Sequence, residues 1–250
     1  MGARARPRTA RDGAQIALRL DARIAGRLQR RYQRFFADVA LASGEVVTAH
    51  CPDPGSLRGL LAPDAAVRLS TSPDPRRKLR HTLEMIRSGG TWVSVHPARA
   101  NAIAALALDH GVLRSLAGYA ERRREVAVPG GSRLDFRLAG HARDARPCFL
   151  EVKSASWSVG GVARFPDAPT ARGLRHVETL AKLHAEGARA VLLFVVQRGD
   201  CASVEPADEV DPRYGAALRA AARAGVEVLA LRARVSPSRI ALDGSIPVRL

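Results

Sequence analysis

The sequence predicts an α/β protein of the α+β kind, an N-terminal OB-like β-barrel followed by a C-terminal mixed-sheet unit. Three observations carry this. Residues 15–95 break into about five or six short runs in which apolar and polar residues alternate, the period of half-buried strands. After Pro97 the period lengthens to that of helices, and helices then alternate with short apolar strands. Residues 132–154 read as two strands around a turn and carry Asp135, Glu151 and Lys153. The 250 residues divide into a basic tail (1–13), an OB-like nucleic-acid-binding domain (14–97) and a nuclease-like domain (98–250).

Residues 1–13 have no apolar period and read as a disordered tail. Ile16, Leu18, Leu20, Ala22 and Ile24 alternate as a strand does. The run 31–41 continues as one strand, with Phe35, Ala37, Val39 and Leu41 on one face. A turn at 42–44 leads to a strand at 45–51. The loop CPDPGS follows, and its prolines and glycine forbid regular structure. Residues 67–70, 82–86 and 91–95 are further strands, the last two joined as a hairpin by Ser88, Gly89 and Gly90. Small barrels of this type hold single strands with a basic groove and aromatic platforms. Arg34 and Phe36 are the candidates here, although aromatic residues in strands mostly fill cores.

Beyond Pro97, residues 98–108 are rich in Ala and Leu and read as a helix ending near Gly111. Residues 113–120 are helical or irregular, and a strand opens at 125–128. After Ser154, SASWSVGGVARFPDAPT reads as a loop. A helix over 171–186 sets Leu174, Val177, Leu180 and Leu183 at every third position and stops at Gly187. The run AVLLFVV at 190–196 is apolar on both faces, as a buried parallel strand is. Strand, helix and strand form a right-handed βαβ unit with Glu151 and Lys153 on a central strand. A last helix at 214–224 gives way after Gly225 to a strand at 226–231.

Net charge is +16, and half of it comes from residues 1–34, where ten Arg stand against Asp12 and Asp21. Only Lys78, Lys153 and Lys182 are lysines, which fits a GC-rich genome but leaves the excess of base unexplained. A chain this basic points to a polyanionic partner, with nucleic acid first. No apolar run approaches the roughly 18 residues of a membrane span, so a membrane partner is excluded. Cys51, Cys148 and Cys201 are far apart and odd in number, which fits reduced thiols and a cytoplasmic location.

Asp135, then fifteen residues, then Glu151-x-Lys153 is the pattern of metal-dependent nucleases. Glu151 and Lys153 share a strand face, and an antiparallel partner brings Asp135 toward it. Two hard carboxylates coordinate Mg²⁺ or Mn²⁺, which lowers the pKa of a bound water and neutralises charge on phosphate. Lysine, a compact charge with an adjustable pKa, orients or deprotonates that water. Glu-x-Lys alone is also an ordinary surface ion pair; the hairpin and the βαβ unit favour catalysis. Glu125 is a candidate third metal ligand. Arg76, Arg77 and Lys78 form a candidate phosphate-contacting loop, and Arg133 flanks Asp135. Arg172, Arg175 and His176 fall in the first turns of a helix, where cations are unfavourable without an anion.

With RYQRFFADV, TAHCPDPGSL, RRKLRHTLE, NAIAALAL, EVAVPGGSRLDFRL, FLEVKSAS, FPDAPTARGLRHVETL, AVLLFVVQR and DPRY in order, the chain resembles the bacterial and archaeal sugar fermentation stimulation protein A family. The resemblance implies an OB-like domain and a restriction-endonuclease-like, PD-(D/E)xK domain. It also implies DNA binding and a link to regulation of sugar-utilisation genes. The nuclease-type positions carry over to Asp135, Glu151 and Lys153, and less directly to Glu125. Asp53 and Pro54 depart from the usual Asn-Thr, which counts against a polar role for that loop. The family is also described as carrying a C-terminal helix-turn-helix; here the alternation of Val226, Val228 and Ala230 reads as a strand instead.

The expected function is therefore DNA binding, single-stranded or duplex, with an Mg²⁺-dependent nuclease site. Two alternatives stand beside it: a non-enzymatic DNA-binding regulator on a nuclease fold, and an RNA-processing factor.

Overall fold

The structure, a computed structural model, describes residues 16–250. The tail expected over 1–13 lies outside the described residues. Strand β1 (Ala17–Arg19) does not join the barrel. It pairs antiparallel with the final strand of the second unit, Ala17 opposite Ala241.

The barrel is built from β2 (Ile24–Tyr32), β3 (Phe36–Leu41), β4 (Val46–His50), β5 (Ala66–Thr71) and β6 (His81–Ser88). They lie in the order β4-β3-β2-β5-β6, and β4 pairs with β6 in parallel through Ala49–His81 and His50–Thr82, which closes the ring. Alternate residues point inward, so Leu28, Val39, Leu69 and Leu83 form its core. The single strand expected over 31–41 is broken: Gln33 and Arg34 take positive φ (47° and 64°) and turn the chain. Across that turn Tyr32 and Phe36 stack, with ring centroids 5.4 Å apart. Phe35 is thus carried out to solvent instead of lying with Ala37. Strand β7 (Thr91–Ser94) returns from β6 through Gly89 and Gly90, whose φ of 55° and 84° suit a tight two-residue hairpin.

Helix α1 (Pro97–Asp109) buries a stripe of Ala100, Ile103, Ala104 and Ala107. After a short 3₁₀ turn come β8 (Tyr119–Ala127), β9 (Arg133–His141) and β10 (Cys148–Ala155). Strand β8 starts well before residue 125, where it was expected. Nearly all its residues are exposed, because it is a terminal strand, and so no apolar alternation marks its start. The expected loop after β10 contains the hairpin β11 (Trp157–Val159) and β12 (Val162–Phe165), turned by Gly160 and Gly161.

Then follow α2 (Ala171–Ala185), β13 (Arg189–Val196), β14 (Ser203–Pro206), α3 (Pro212–Arg223), β15 (Glu227–Ser236) and β16 (Arg239–Ser245). Strand β14 adds to β12 in a small second sheet. Strands β10, β13 and β15 are parallel neighbours, so the expected βαβ unit forms. Helix α3 passes directly into β15, without a second helix. The order β15-β13-β10-β9-β8 makes β10 an interior strand. One core layer joins this sheet to α1 through Ile103, Phe136, Leu150 and Leu193. The other joins it to α2 and α3 through Val177, Leu180, Phe194 and Tyr214. All three cysteines are free and buried. Among the described residues no helix is long and apolar enough to cross a membrane.

Barrel and second unit meet at several points. Trp92 of β7 pairs with Val235 of β15, which joins the two sheets edge to edge. Glu84, buried on β6, accepts from Ser70 Oγ (2.8 Å) and Arg99 Nη2 (2.9 Å) at Oε1, and from Arg99 Nε (3.2 Å) at Oε2. In the CPDPGS loop, Asp53 Oδ1 accepts from Gly55 N (2.8 Å), and Leu57 N donates to Asp167 Oδ2 (2.8 Å). The loop therefore has a polar role. A Cβ at Gly55 would meet Asp167 Oδ1 at 2.5 Å, so glycine permits the docking. Burial, with a smaller push from the Asp167 charge, raises the Asp53 carboxyl to about 6.

Candidate active site

The hairpin of β9 and β10 pairs Leu138 with Cys148, Arg137 with Phe149 and Phe136 with Leu150, and then the ladder stops. The strands fork where Asp135 would next meet Glu151. Asp135 fills the fork: its Oδ2 accepts from the Val152 backbone N–H (2.7 Å) and its Oδ1 from Asn101 Nδ2 on α1 (2.7 Å). A carboxylate here takes the place of a ladder carbonyl and ties α1 to the edge of β10.

Glu151 and Lys153 lie on the α2 side of β10, both buried. Lys153 Nζ donates to Glu151 Oε1 (2.7 Å). His176 Nδ1, on the inward face of α2, contacts the same Oε1 and lies 3.2 Å from Lys153 Nζ. Glu151 Oε2 is buried and has no hydrogen-bond partner. The Tyr214 hydroxyl, from α3 on the same side of the sheet, is also buried without a partner.

Electrostatics divide the two carboxylates. Burial, and then the neighbouring Glu151 charge, push Asp135 above the usual carboxylate range; its two N–H donors offset only part of this. Burial also pushes Glu151 up, but the His176 hydrogen bond and the Lys153 charge outweigh it, so Glu151 stays ionised below its ordinary value. Burial, with the Glu151 charge adding to it, holds the Tyr214 phenol far above its normal value and so neutral. The arrangement is a charged Glu–Lys pair with one bare carboxylate oxygen, beside an aspartate with a raised proton affinity.

Two family models match this chain. One, the N-terminal OB domain, spans residues 30–95, and the other, the sugar fermentation stimulation protein RE domain, spans residues 98–239. The chain belongs to the sugar fermentation stimulation protein family. A family homolog from Halorhodospira halophila is 50% identical, over 89% of this chain and 93% of its own. Another, from Maricaulis maris, is 46% identical, over 91% of this chain and 96% of its own. The solved structure of SfsA from Pyrococcus furiosus, in complex with Ca²⁺, shares the fold, with a TM-score of 0.85 and 24% identity over 95% of this chain and all of that one.

Against this family fold, the candidate residues sort clearly. Glu151, Lys153 and His176 come together; Asp135, held by Val152 N–H and Asn101, stands at the fork beside them, near enough to feel the Glu151 charge. Glu125 does not join them: it is exposed, its backbone is left-handed (φ 54°), and it pairs with Arg133 at 3.2 Å. Among the described residues no three His, Cys, Asp or Glu side chains group as a metal cage. Arg34 sits at the exposed β2–β3 turn and Phe36 is half-buried against Tyr32. Arg76 pairs with Asp74 (3.0 Å), Arg77 reaches Thr82 Oγ1 (3.4 Å), and Lys78 is exposed. Arg172 and Arg175 are exposed on α2, whose first turn is capped by Thr170 Oγ1 accepting from Gly173 N (3.0 Å). That cap occupies one of the backbone donors of the helix N-terminus, and His176 turns inward onto Glu151.

Sequence reasoning missed Asn101 and Tyr214. Asn101 is the one strongly polar side chain in the run NAIAALAL, and that isolation was a usable signal. Nothing local marks Tyr214.

Proposed function

We propose that the chain binds DNA and cleaves phosphodiester bonds with a divalent cation held by Glu151 and Asp135. The observation that carries this reading is Glu151 Oε2, a buried carboxylate oxygen with no partner, next to a second carboxylate and a lysine. An unpartnered buried acceptor costs roughly 1–3 kcal/mol, and hard oxygen donors of this kind suit Mg²⁺ or Mn²⁺. The Ca²⁺ of the Pyrococcus furiosus relative, another hard divalent ion, supports the same reading. When bound, such a cation supplies a water of lowered pKa and charge for the phosphate.

The side chains of this chain do the positioning. Val152 N–H and Asn101 each take one oxygen of Asp135 and fix it at the fork. Lys153 and His176 both take Glu151 Oε1, which leaves Oε2 as the oxygen to offer. The Lys153 ammonium is placed to hold a proton beside an attacking water and to oppose negative charge on the phosphate. Arg34, Arg77 and Lys78 on the barrel provide phosphate contacts for the strand.

A second reading, DNA binding without cleavage, draws on the isolation of Glu125, which leaves the metal two carboxylates instead of three. One experiment separates the two: incubation with single-stranded DNA, duplex DNA and RNA in Mg²⁺ or Mn²⁺, beside Glu151→Gln. The nuclease reading expects metal-dependent cleavage that the variant lacks. Intact substrates at stoichiometric protein, or equal cleavage by the variant, overturn it; preference for RNA moves the substrate from DNA to RNA.

A further inference from the structure

We infer that the exposed face of β8 and β9 beside the carboxylates seats the DNA backbone, with Arg123 and Arg137 as its phosphate contacts; the choice of DNA rests on the function proposed above. Arg123 lies directly opposite Arg137 in the β8–β9 ladder, and Arg137 lies opposite Phe149 in the β9–β10 ladder. The three side chains therefore share one sheet face. It is the face of Glu151: Phe149 packs on the core under α2 and α3, where Glu151 and Lys153 meet His176. Phe149 and Glu151 are two residues apart on one strand, about 6.6 Å. Arg137 lies one strand beyond Phe149 and Arg123 two, at a strand spacing of about 4.8 Å, so the row begins roughly 8 Å from the Glu151 backbone and ends roughly 12 Å from it.

Like charges directly across a ladder repel and destabilise it. Several neighbouring arginines are neutralised by pairing, Arg122 with Asp109 (2.6 Å), Arg133 with Glu125 (3.2 Å), Arg146 with Asp144 (2.8 Å) and Arg189 with Glu227, while Arg124, opposite Phe136 on the other sheet face, lies over that ring at 5.5 Å. Among the described residues Arg123 and Arg137 have no ion-pair partner, and Glu121, two positions away on β8, pairs with neither. Strand β8 is the terminal strand of the sheet, so no further strand covers the row, and Arg123 is exposed. Two uncompensated guanidiniums beside a carboxylate pair are suited to a polyanion that bridges both, and each presents a planar fork to a phosphate.

The test uses the full chain, with labelled single-stranded and duplex DNA, and RNA of the same sequence, titrated in EDTA over a salt series. A matched control exists, because Arg19 of β1 faces Arg239 of β16 at the opposite edge of the fold. The Arg123→Gln, Arg137→Gln double variant is expected to bind DNA at least about tenfold more weakly at low salt, with the log K against log salt slope shallower by about two. Arg123→Lys with Arg137→Lys keeps the slope, and Arg19→Gln with Arg239→Gln leaves it unchanged. The glutamine pair melts no lower than the parent, because a repulsion has been removed. An unchanged slope in the glutamine pair, an equal loss in the control, or weakened binding accompanied by a lower melt each overturns the seat. Tighter binding of RNA than of DNA by the parent overturns the assigned occupant. Absence of metal-dependent cleavage with the expected slope change removes the nuclease reading and leaves the seat standing; flat salt dependence in the parent removes both.

Discussion

Glu84 and Glu151 are both buried glutamates on strands, 2% and 3% exposed, and each lies beside one cation. Their wiring differs. Glu84 meets a planar guanidinium from α1 and a serine hydroxyl, and all three hydrogen bonds are spread over both oxygens. Glu151 meets a lysine and a histidine on one oxygen and leaves the other bare. The first is a closed arrangement that pins the barrel to α1. The second keeps an unsatisfied acceptor in a dry place, a stability loss that a fold retains where chemistry needs it. Burial and a salt bridge are common to both glutamates; what differs is the distribution of hydrogen bonds over the two oxygens.

Four substitutions break or sharpen that contrast. The largest effect is expected from Glu84→Ala, which strands Arg99 at the junction. Unfolding free energy should fall by about 3 kcal/mol in denaturant melts, with cleavage per folded molecule unchanged. A loss below about 1 kcal/mol would place this pair with weak surface bridges and end the comparison. Next is Glu151→Gln, expected to reduce cleavage at least about a hundredfold, or ~2.7 kcal/mol at the transition state. Its melt should fall by less than that of Glu84→Ala, because glutamine keeps an acceptor for Lys153 and His176 although the charge that offsets the buried Lys153 ammonium is lost; a melt as damaged as that of Glu84→Ala would make Glu151 structural.

Asp53 supplies a third, half-buried carboxylate, whose neighbouring guanidinium, Arg31, donates to its backbone oxygen and not to its carboxyl. Its folded pKa of about 6 lies above the unfolded value. The folded state thus holds the proton more tightly, and this contribution to stability is full below about pH 4 and is lost as pH rises through about 6. Asp53→Asn should raise stability at pH 8 by about 1–3 kcal/mol and leave pH 4 unchanged; thermal melts at the two pH values read this. The smallest effect is Arg99→Lys, which gives up the fork for a point charge and should lower stability by about 0.5–1.5 kcal/mol in the same melts.

Much of the fold was legible because its signals are local. Alternation marked the barrel strands, and Gly187 and Gly225 marked helix ends before the parallel strands β13 and β15. The misreadings have physical causes. Gln33 and Arg34 are not turn residues, and the turn there is accompanied by stacking of Tyr32 on Phe36 across it. Strand β8 is wet on both faces, so its pattern was silent, while Gly160 and Gly161 signalled a hairpin that was read as loop. At the candidate site, spacing grouped Asp135, Glu151 and Lys153, which lie on adjacent strands. Spacing does not report that Glu125 has a left-handed backbone, or that Asn101, His176 and Tyr214 arrive from three helices.

One strand pairing bears on how the chain is made. Ala17 sits opposite Ala241, and the whole barrel is encoded between them. On a ribosome adding about 5–20 residues per second, β1 waits tens of seconds for its neighbour while the barrel strands, all close in sequence, can already assemble. The barrel is therefore expected to emerge as a finished body while the larger sheet is still open at one edge. During that interval Ile16, Leu18 and Leu20 are exposed, and they are the segment a chaperone would meet first.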